Sequence, residues 1–162
     1  MIIHVKNKST LIIDDFKFKC CVGKNGLNFN KKEGDYSTPK GLFYLKKLYF
    51  RKDRVGIPRC KIKKKTIKKS MAWCDDSGHK KYNQEILSFN KKNKEQFYRS
   101  DHKYDYLITI THNEKKIPFK GSAIFIHLTN DYEPTAGCVA LKKKDFEILL
   151  KLINKNTMIK IG

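Results

Sequence analysis

Residues 121–141 read GSAIFIHLTNDYEPTAGCVAL. Gly121 to Leu128 is a nearly continuous apolar run, the composition of a buried strand, with a histidine near its end. Ten residues separate His127 from Cys138, and Asp131, Glu133, Pro134 and Gly137 give them loop character. The chain then returns to Val139, Ala140 and Leu141. A cysteine serves acyl chemistry when a base makes it a thiolate and N–H donors stand ready for the oxyanion. A free thiol ionises at about pH 8.5, and a neighbouring imidazole lowers that value. His127 becomes that neighbour if the loop folds back beside the strand end. Gly137 lets the backbone turn tightly before Cys138 and can aim the amides of residues 136–138 at the site. The imidazole's other nitrogen needs an orienter, and a backbone carbonyl suffices. Spacing alone leaves the plain alternative open, in which the cysteine is apolar filler and the histidine a satisfied strand-end polar group.

Outward from this stretch the chain reads as mainly β. Ile2 to Val5, Thr10 to Ile13 and Phe16 to Val22 are short apolar runs. In the third, Phe16, Phe18, Cys20 and Val22 are spaced two apart around Lys17 and Lys19, the period of a half-buried strand. Residues 23–41, with four glycines and a proline, are loop; Leu42 to Phe50 and Tyr104 to Thr111 are strand. Residues 51–82 are basic and irregular, and KIKKKTIKK at 61–69 reads equally as a solvated strand, a loop or a polyanion patch. Gln84 to Phe97 can hold a short helix resting on Ile86, Leu87 and Phe89. Lys142 to Lys155 is the clearest helix, with Phe146, Leu149, Leu150 and Ile153 on one face, Asp145 in the first turn and Asn156 to end it. Thr157 to Ile161 closes as a strand. No repeat or linker interrupts the chain. The expectation is a single β-rich α+β domain over residues 1–162, with a C-terminal helix.

The 162 residues carry 36 basic and 16 acidic side chains, a net charge of +20. Only four of the basic residues are arginine: Arg51, Arg54, Arg59 and Arg99. Nucleic-acid sites lean on arginine for forked contacts, whereas lysine with abundant Asn and Ile follows from an AT-rich genome. Nucleic acid is therefore not expected as a partner. Neither a GxGxxG nor a GxxxxGK[ST] loop is present. None of the five cysteines has metal-ligand spacing, so neither metal nor cofactor is expected. The first sixteen residues show no secretory leader, and no run is long enough to span a membrane.

Several ordered motifs resemble the L,D-transpeptidase catalytic domain, the YkuD-like family, and within it a short divergent bacterial branch. GSAIFIHL…PTAGCVAL is similar to its active-site signature, VGKNG at 22–26 to its early glycine turn, and KKEGDYSTPKGLFYL at 31–45 to its K-x-E-G-D-x-x-T-P-x-G segment. WCDD at 73–76 with Tyr82 and Asn83 resembles the middle block, and residues 95–113 the block before the catalytic strand. The resemblance implies a β-sandwich-like fold, with Cys138 as nucleophile, His127 as base and Gly137 as the glycine before the nucleophile. It further implies acyl transfer on peptidoglycan stem peptides at the cell envelope, with L,D-carboxypeptidase action if water is the acceptor. Cytoplasmic action on recycled muropeptides is the alternative if no leader precedes the chain. A basic, non-catalytic module for cell-wall polymer or nucleic acid is the other alternative.

The sequence departs from that pattern at Ala136, where a second histidine is common, and at Val139 and Ala140, where a polar residue often follows the cysteine. Both changes bear on donor and acceptor specificity. His112, Asn113, Tyr132, Arg99 and Ala136 are candidate substrate contacts, with a structural ion pair the favoured alternative for Arg99 and Asp101. Trp73, Asp75 and Asp76 are candidates to cap the groove, and Glu33 and Asp35 to brace it. A basic groove, to which Lys142 to Lys144 could contribute, would favour the carboxylates of the stems.

Overall fold

The computed structural model describes residues 1–88 and 94–162. The chain is mainly β. Its first strands are β1 (Ile2–Lys6), β2 (Thr10–Ile13), β3 (Phe16–Lys19), β4 (Leu27–Asn28), β5 (Thr38–Pro39) and β6 (Gly41–Phe50). A one-turn helix α1 (Lys52–Val55) leads to β7 (Lys63–Thr66), β8 (Met71–Cys74), β9 (Glu85–Leu87) and β10 (Lys94–Gln96). The last third holds β11 (Tyr106–Ile110), β12 (Phe125–Leu128), β13 (Val139–Leu141), helix α2 (Lys143–Leu152) and β14 (Met158–Ile161).

The main sheet runs β13-β12-β11-β6-β14-β1-β2-β3, with β7 beside β6. The long strand β6 joins its two halves. Gly41 to Tyr44 pair with β14, and the remainder pairs with β11 on one side and β7 on the other. The two ends of the sheet meet, because Cys21 and Ala140 exchange backbone hydrogen bonds of 3.0 and 2.9 Å. Their mutual satisfaction removes an edge that would otherwise expose unpaired amides.

Period-two alternation then divides the interior. Tyr106, Ile108 and Ile110 of β11 enter the larger core, where Phe146, Leu149 and Leu150 of α2 cover them. Leu107 points the other way, into a second cluster with Tyr49, Phe97, Tyr104, Phe125 and Cys138. Strands buried on both faces explain the continuous apolar runs at 104–111 and 121–128.

Three expectations are revised, and one left open is resolved. Residues 84–97 hold no helix among their described positions. Glu85–Leu87 and Lys94–Gln96 instead flank β8 as a three-stranded antiparallel sheet. Non-local pairing with MAWC overrides the local apolar spacing: Ile86 is buried, Leu87 is exposed, and Phe89 lies outside the described residues. The second helix ends at Leu152 rather than near Lys155. Ile153 turns extended to bury itself completely, and an Asn154 side chain bonded to the Asn156 amide competes with a further turn. The strand expected from Gly121 begins its ladder only at Phe125, because Ala123 adopts a positive φ of 53°. KIKKKTIKK contains a strand, β7, whose Lys63 to Lys65 are exposed while the flanking Ile62 and Ile67 are buried.

Ile126 is fully buried on β12, so Ile126→Ala is expected to cost about 2–5 kcal/mol of stability. Leu87, 72% exposed, should change by no more than about 0.5 kcal/mol on truncation to alanine. Urea midpoints of the two variants check both statements; equal losses would contradict the strand assignment of β9.

Candidate active site

β12 and β13 run parallel with His127 opposite Ala140. Paired residues share a face, and the face recurs every second residue. Phe125, His127, Ala140 and Cys138 therefore project to the same side, while Ile126, Leu128, Val139 and Leu141 enter the larger core. Cys138 and His127 both line a cleft of about 390 Å³. The intervening loop does fold back. Its start is tied by the Thr129 amide to the Leu141 carbonyl (2.8 Å), and its end by the Thr135 amide to Val22 and the Lys24 amide to Thr135 (both 2.9 Å). Gly137 has φ +151°, and a Cβ there would stand 2.9 Å from the Ser37 carbonyl oxygen. Both facts require glycine before Cys138.

His127 Nδ1 lies 2.9 Å from the Leu128 carbonyl oxygen. A carbonyl only accepts, so Nδ1 carries the hydrogen and Nε2 presents its lone pair. Burial lowers the imidazole pKa to about 4; Lys103 and Arg99 add to that, while the Leu128 contact and Asp101 oppose it. The Tyr104 ring meets the imidazole edge-on at 5.2 Å. At Cys138, Sγ donates to the Ala123 carbonyl and accepts from the Phe125 amide, both at 3.3 Å. Burial pushes this thiol up to about 12, against the Phe125 amide and the charge of Lys31. Near neutral pH the resting pair is thus a thiol and a neutral imidazole, and among the described residues no hydrogen bond joins them. The Gly137 amide is taken by Thr135 Oγ1 (3.1 Å). Among the described residues the Ala136 and Cys138 amides have no acceptor, which leaves two free donors on the segment that carries the sulfur.

Arg99 and Ala136 line the cleft. Arg99 is committed to Asp101 through a forked pair of 2.9 and 2.7 Å bonds, and to Glu95 at 3.2 Å. His112, Asn113 and Tyr132 do not line it. His112 Nε2 faces the Lys120 carbonyl at 3.1 Å, and the Asn113 amide closes a loop onto Ile117 and Gly121. Tyr132 sits beneath the ammonium groups of Lys19 and Lys142. Trp73 packs on Phe97 and Phe125 in the second cluster; Asp75 lines the cleft, and Asp76 binds the Gly78 amide. Asp35 accepts from the Lys32 and Ser37 amides, the Ser37 hydroxyl and Lys31; Glu33 accepts from Tyr82. Those five bonds brace the loop. The charged lining is Lys31, Arg99 and Lys103 against Glu33, Asp75, Glu95 and Glu133. Three cations against four anions do not make a basic groove, and the +20 is carried elsewhere.

Asn83 is a residue the sequence reading left without a role. Its side-chain oxygen accepts from Trp73 Nε1 (2.8 Å) and the Ala123 amide (3.2 Å); its nitrogen donates to the His112 and Asn113 carbonyls (3.0 and 2.9 Å). Asn83 thereby pins the residue whose carbonyl receives the Cys138 thiol hydrogen. Among the described residues no three His, Cys, Asp or Glu side chains are grouped to hold a metal ion.

The family model of the L,D-transpeptidase catalytic domain (YkuD) matches residues 2–161 of this chain. The chain belongs to this family, which acts on peptidoglycan and is typically found at the cell envelope. Among solved structures, the Bdellovibrio bacteriovorus protein Bd1075 is similar in fold, with a TM-score of 0.51 and 14% identity, over 99% of this chain and 47% of that one. The chain thus spans about half the length of that relative. Comparison with curated proteins finds no match. No helix among the described residues is long and apolar enough to cross a membrane.

Removing the Asn83 amide leaves four half-buried groups without this partner, so Asn83→Ala is expected to cost about 1–3 kcal/mol and to speed hydrogen exchange at Ala123. Chemical denaturation and amide exchange read the two effects. Unchanged exchange at Ala123 would remove Asn83 from the site.

Proposed function

We propose that the chain catalyses acyl transfer on peptidoglycan stem peptides, with Cys138 as nucleophile and His127 as base. The observation that carries this reading is the shared face. Strand register brings Cys138 and His127 into one cleft, and the segment that carries the thiol holds two unpaired amides. His127 Nε2 takes the proton from Sγ, which leaves the Ala123 carbonyl. The thiolate attacks the carbonyl carbon on the L side of an L–D bond, and the Ala136 and Cys138 amides hold the oxyanion. As the tetrahedral intermediate collapses, the C–N bond breaks and the imidazolium gives its proton to the departing amine. A thioester remains. An amine of a second stem attacks it and gives a proton to His127; the C–S bond breaks, and sulfur recovers the proton as the cross-link forms. Water in place of the amine makes the reaction an L,D-carboxypeptidase cleavage. The reading places the work at the cell envelope and treats residues 1–162 as one catalytic unit.

The base must be neutral to accept the thiol proton. Burial depresses the His127 pKa, so activity should persist below the ordinary histidine value of 6.5 and fall only as pH drops through about 4. The pH profile of kcat/KM tests this; an acid limb at 6.5 or above would show that the working imidazole is solvated.

Incubation with disaccharide tetrapeptide, followed by mass spectrometry, tests the reaction itself. Wild-type protein should give cross-linked dimers, and Cys138→Ala none. Loss of the terminal D-residue without dimers assigns the carboxypeptidase reaction. If neither protein forms product, and binding is salt-sensitive and survives Cys138→Ala, the chain is a binding module instead.

A further inference from the structure

Lys31 is a buried cation in the wall of the cleft, only 6% exposed. Lysine is rarely buried unless its charge has a use or a partner. Its ammonium donates to the Lys32 carbonyl at 2.8 Å and to Asp35. An ammonium has three donors, so one remains unassigned among the described residues. The aliphatic stem is held where it is by glycines. A Cβ on Gly121 would lie 2.9 Å from Lys31 Cγ, and a Cβ on Gly137 would lie 3.7 Å from Cε. The stem therefore runs between the residue before Ser122 and the residue before Cys138. Asp35 is itself tied to two backbone amides and to the Ser37 hydroxyl, so the cation sits in a preformed cradle.

A second observation points to the same place. Ser122 lines the cleft, is 6% exposed, and its hydroxyl is the buried side-chain oxygen that has no hydrogen-bond partner in the described structure. Its polar neighbour, the Tyr82 phenol, gives its own hydrogen to Glu33 and interacts with the Ser122 hydroxyl outside full hydrogen-bond geometry. A buried hydroxyl without a partner costs free energy unless something enters to satisfy it. The spare donors of Lys31 and Ser122, close to the nucleophile, fit a small anion.

We infer that Lys31 and Ser122 form a carboxylate subsite that recognises the leaving residue of the substrate, and that Lys31 is a specificity-determining residue. The inference rests on the acyl-transfer reading of the cleft. When the leaving residue is the last of the stem, its carboxylate carbon lies two bonds from the departing nitrogen. A cation beside Cys138 reaches that carboxylate, while a longer or capped stem presents an uncharged amide there. The subsite thus selects stems cleaved at their terminal bond.

The test is a binding comparison in the Cys138→Ala protein, which requires no turnover. The probes are disaccharide tetrapeptide and the same compound with its terminal carboxylate amidated. The free acid should bind at least about tenfold more tightly, the scale of one charge-assisted hydrogen bond. Adding Lys31→Met should bring the ratio close to one, with the amide's affinity unchanged. Adding Ser122→Ala should lower the ratio by a few fold; as a small truncation it keeps the test available if Lys31→Met does not fold. Circular dichroism checks folding. Equal affinity for acid and amide in the parent protein overturns the subsite. So does a ratio untouched by the variants, or a loss of both affinities together in folded Lys31→Met, which makes Lys31 a brace only. A ratio that behaves as expected in a protein whose wild type turns over neither stem keeps the subsite and discards the acyl-transfer reading.

Discussion

The parallel pairing of β12 with β13 sets His127 opposite Ala140, and the alternation of the pleat then brings Cys138 to the same face. A slip of one residue would turn either side chain into the larger core and send Ile126 or Val139 into the cleft. The hydrophobic cost of that exchange protects the register. Ile126, Val139 and Leu141 are essentially fully buried among the residues covered by α2, so the core on one face of the sheet fixes the chemistry on the other. The hydrogen bonds between Cys21 and Ala140 clamp the outer side of β13 and prevent the short strand from sliding.

Burial has opposite effects on the two groups and the same result. It raises the thiol and lowers the imidazole, so each is held uncharged. Proton transfer from one to the other creates two charges but changes the net charge of the cleft by nothing. In a poorly solvated site the cost of those charges depends on how close they form and on the dipoles aimed at them. The Leu128 carbonyl is fixed on the Nδ1 side of the ring, where it steadies an imidazolium, and the Phe125 amide points at the sulfur, where it steadies a thiolate. The Ala123 carbonyl instead favours the protonated thiol. The resting state is therefore chemically quiet.

Much of this was legible in the chain. The alternation of Phe18 and Cys20 with lysines, the apolar run through His127, and the stripe of Phe146, Leu149 and Leu150 state their elements directly, because each is a local pattern, the run buried on both faces and the other two on one. The β8–β9–β10 sheet was not legible. Its pairing joins segments through contacts that no short window contains, and the apolar spacing of Ile86 and Leu87 imitates a helix. The cysteine and histidine could be singled out through ordered motifs rather than through their spacing. Lys31, Ser122 and Asn83 fall within motifs that resemble the family's, but no pattern in the chain assigned them a role apart from their neighbours. What distinguishes them is burial and an unequal count of donors and acceptors, which are properties of the folded chain.

The first strand lies parallel to the last, with Ile2 beside Met158 and Val5 beside Ile161. On its other side β14 pairs with the first residues of β6, whose remaining residues pair with β11. The first residues of the strand that bridges the two halves of the sheet, and the first strand itself, therefore lack their β14 neighbour until residues 158–161 have been synthesised. During synthesis the early hairpin of β1 and β2 waits unclosed for its other partner. Such a topology delays closure of the sheet, because distant segments must meet before any local gain is secured.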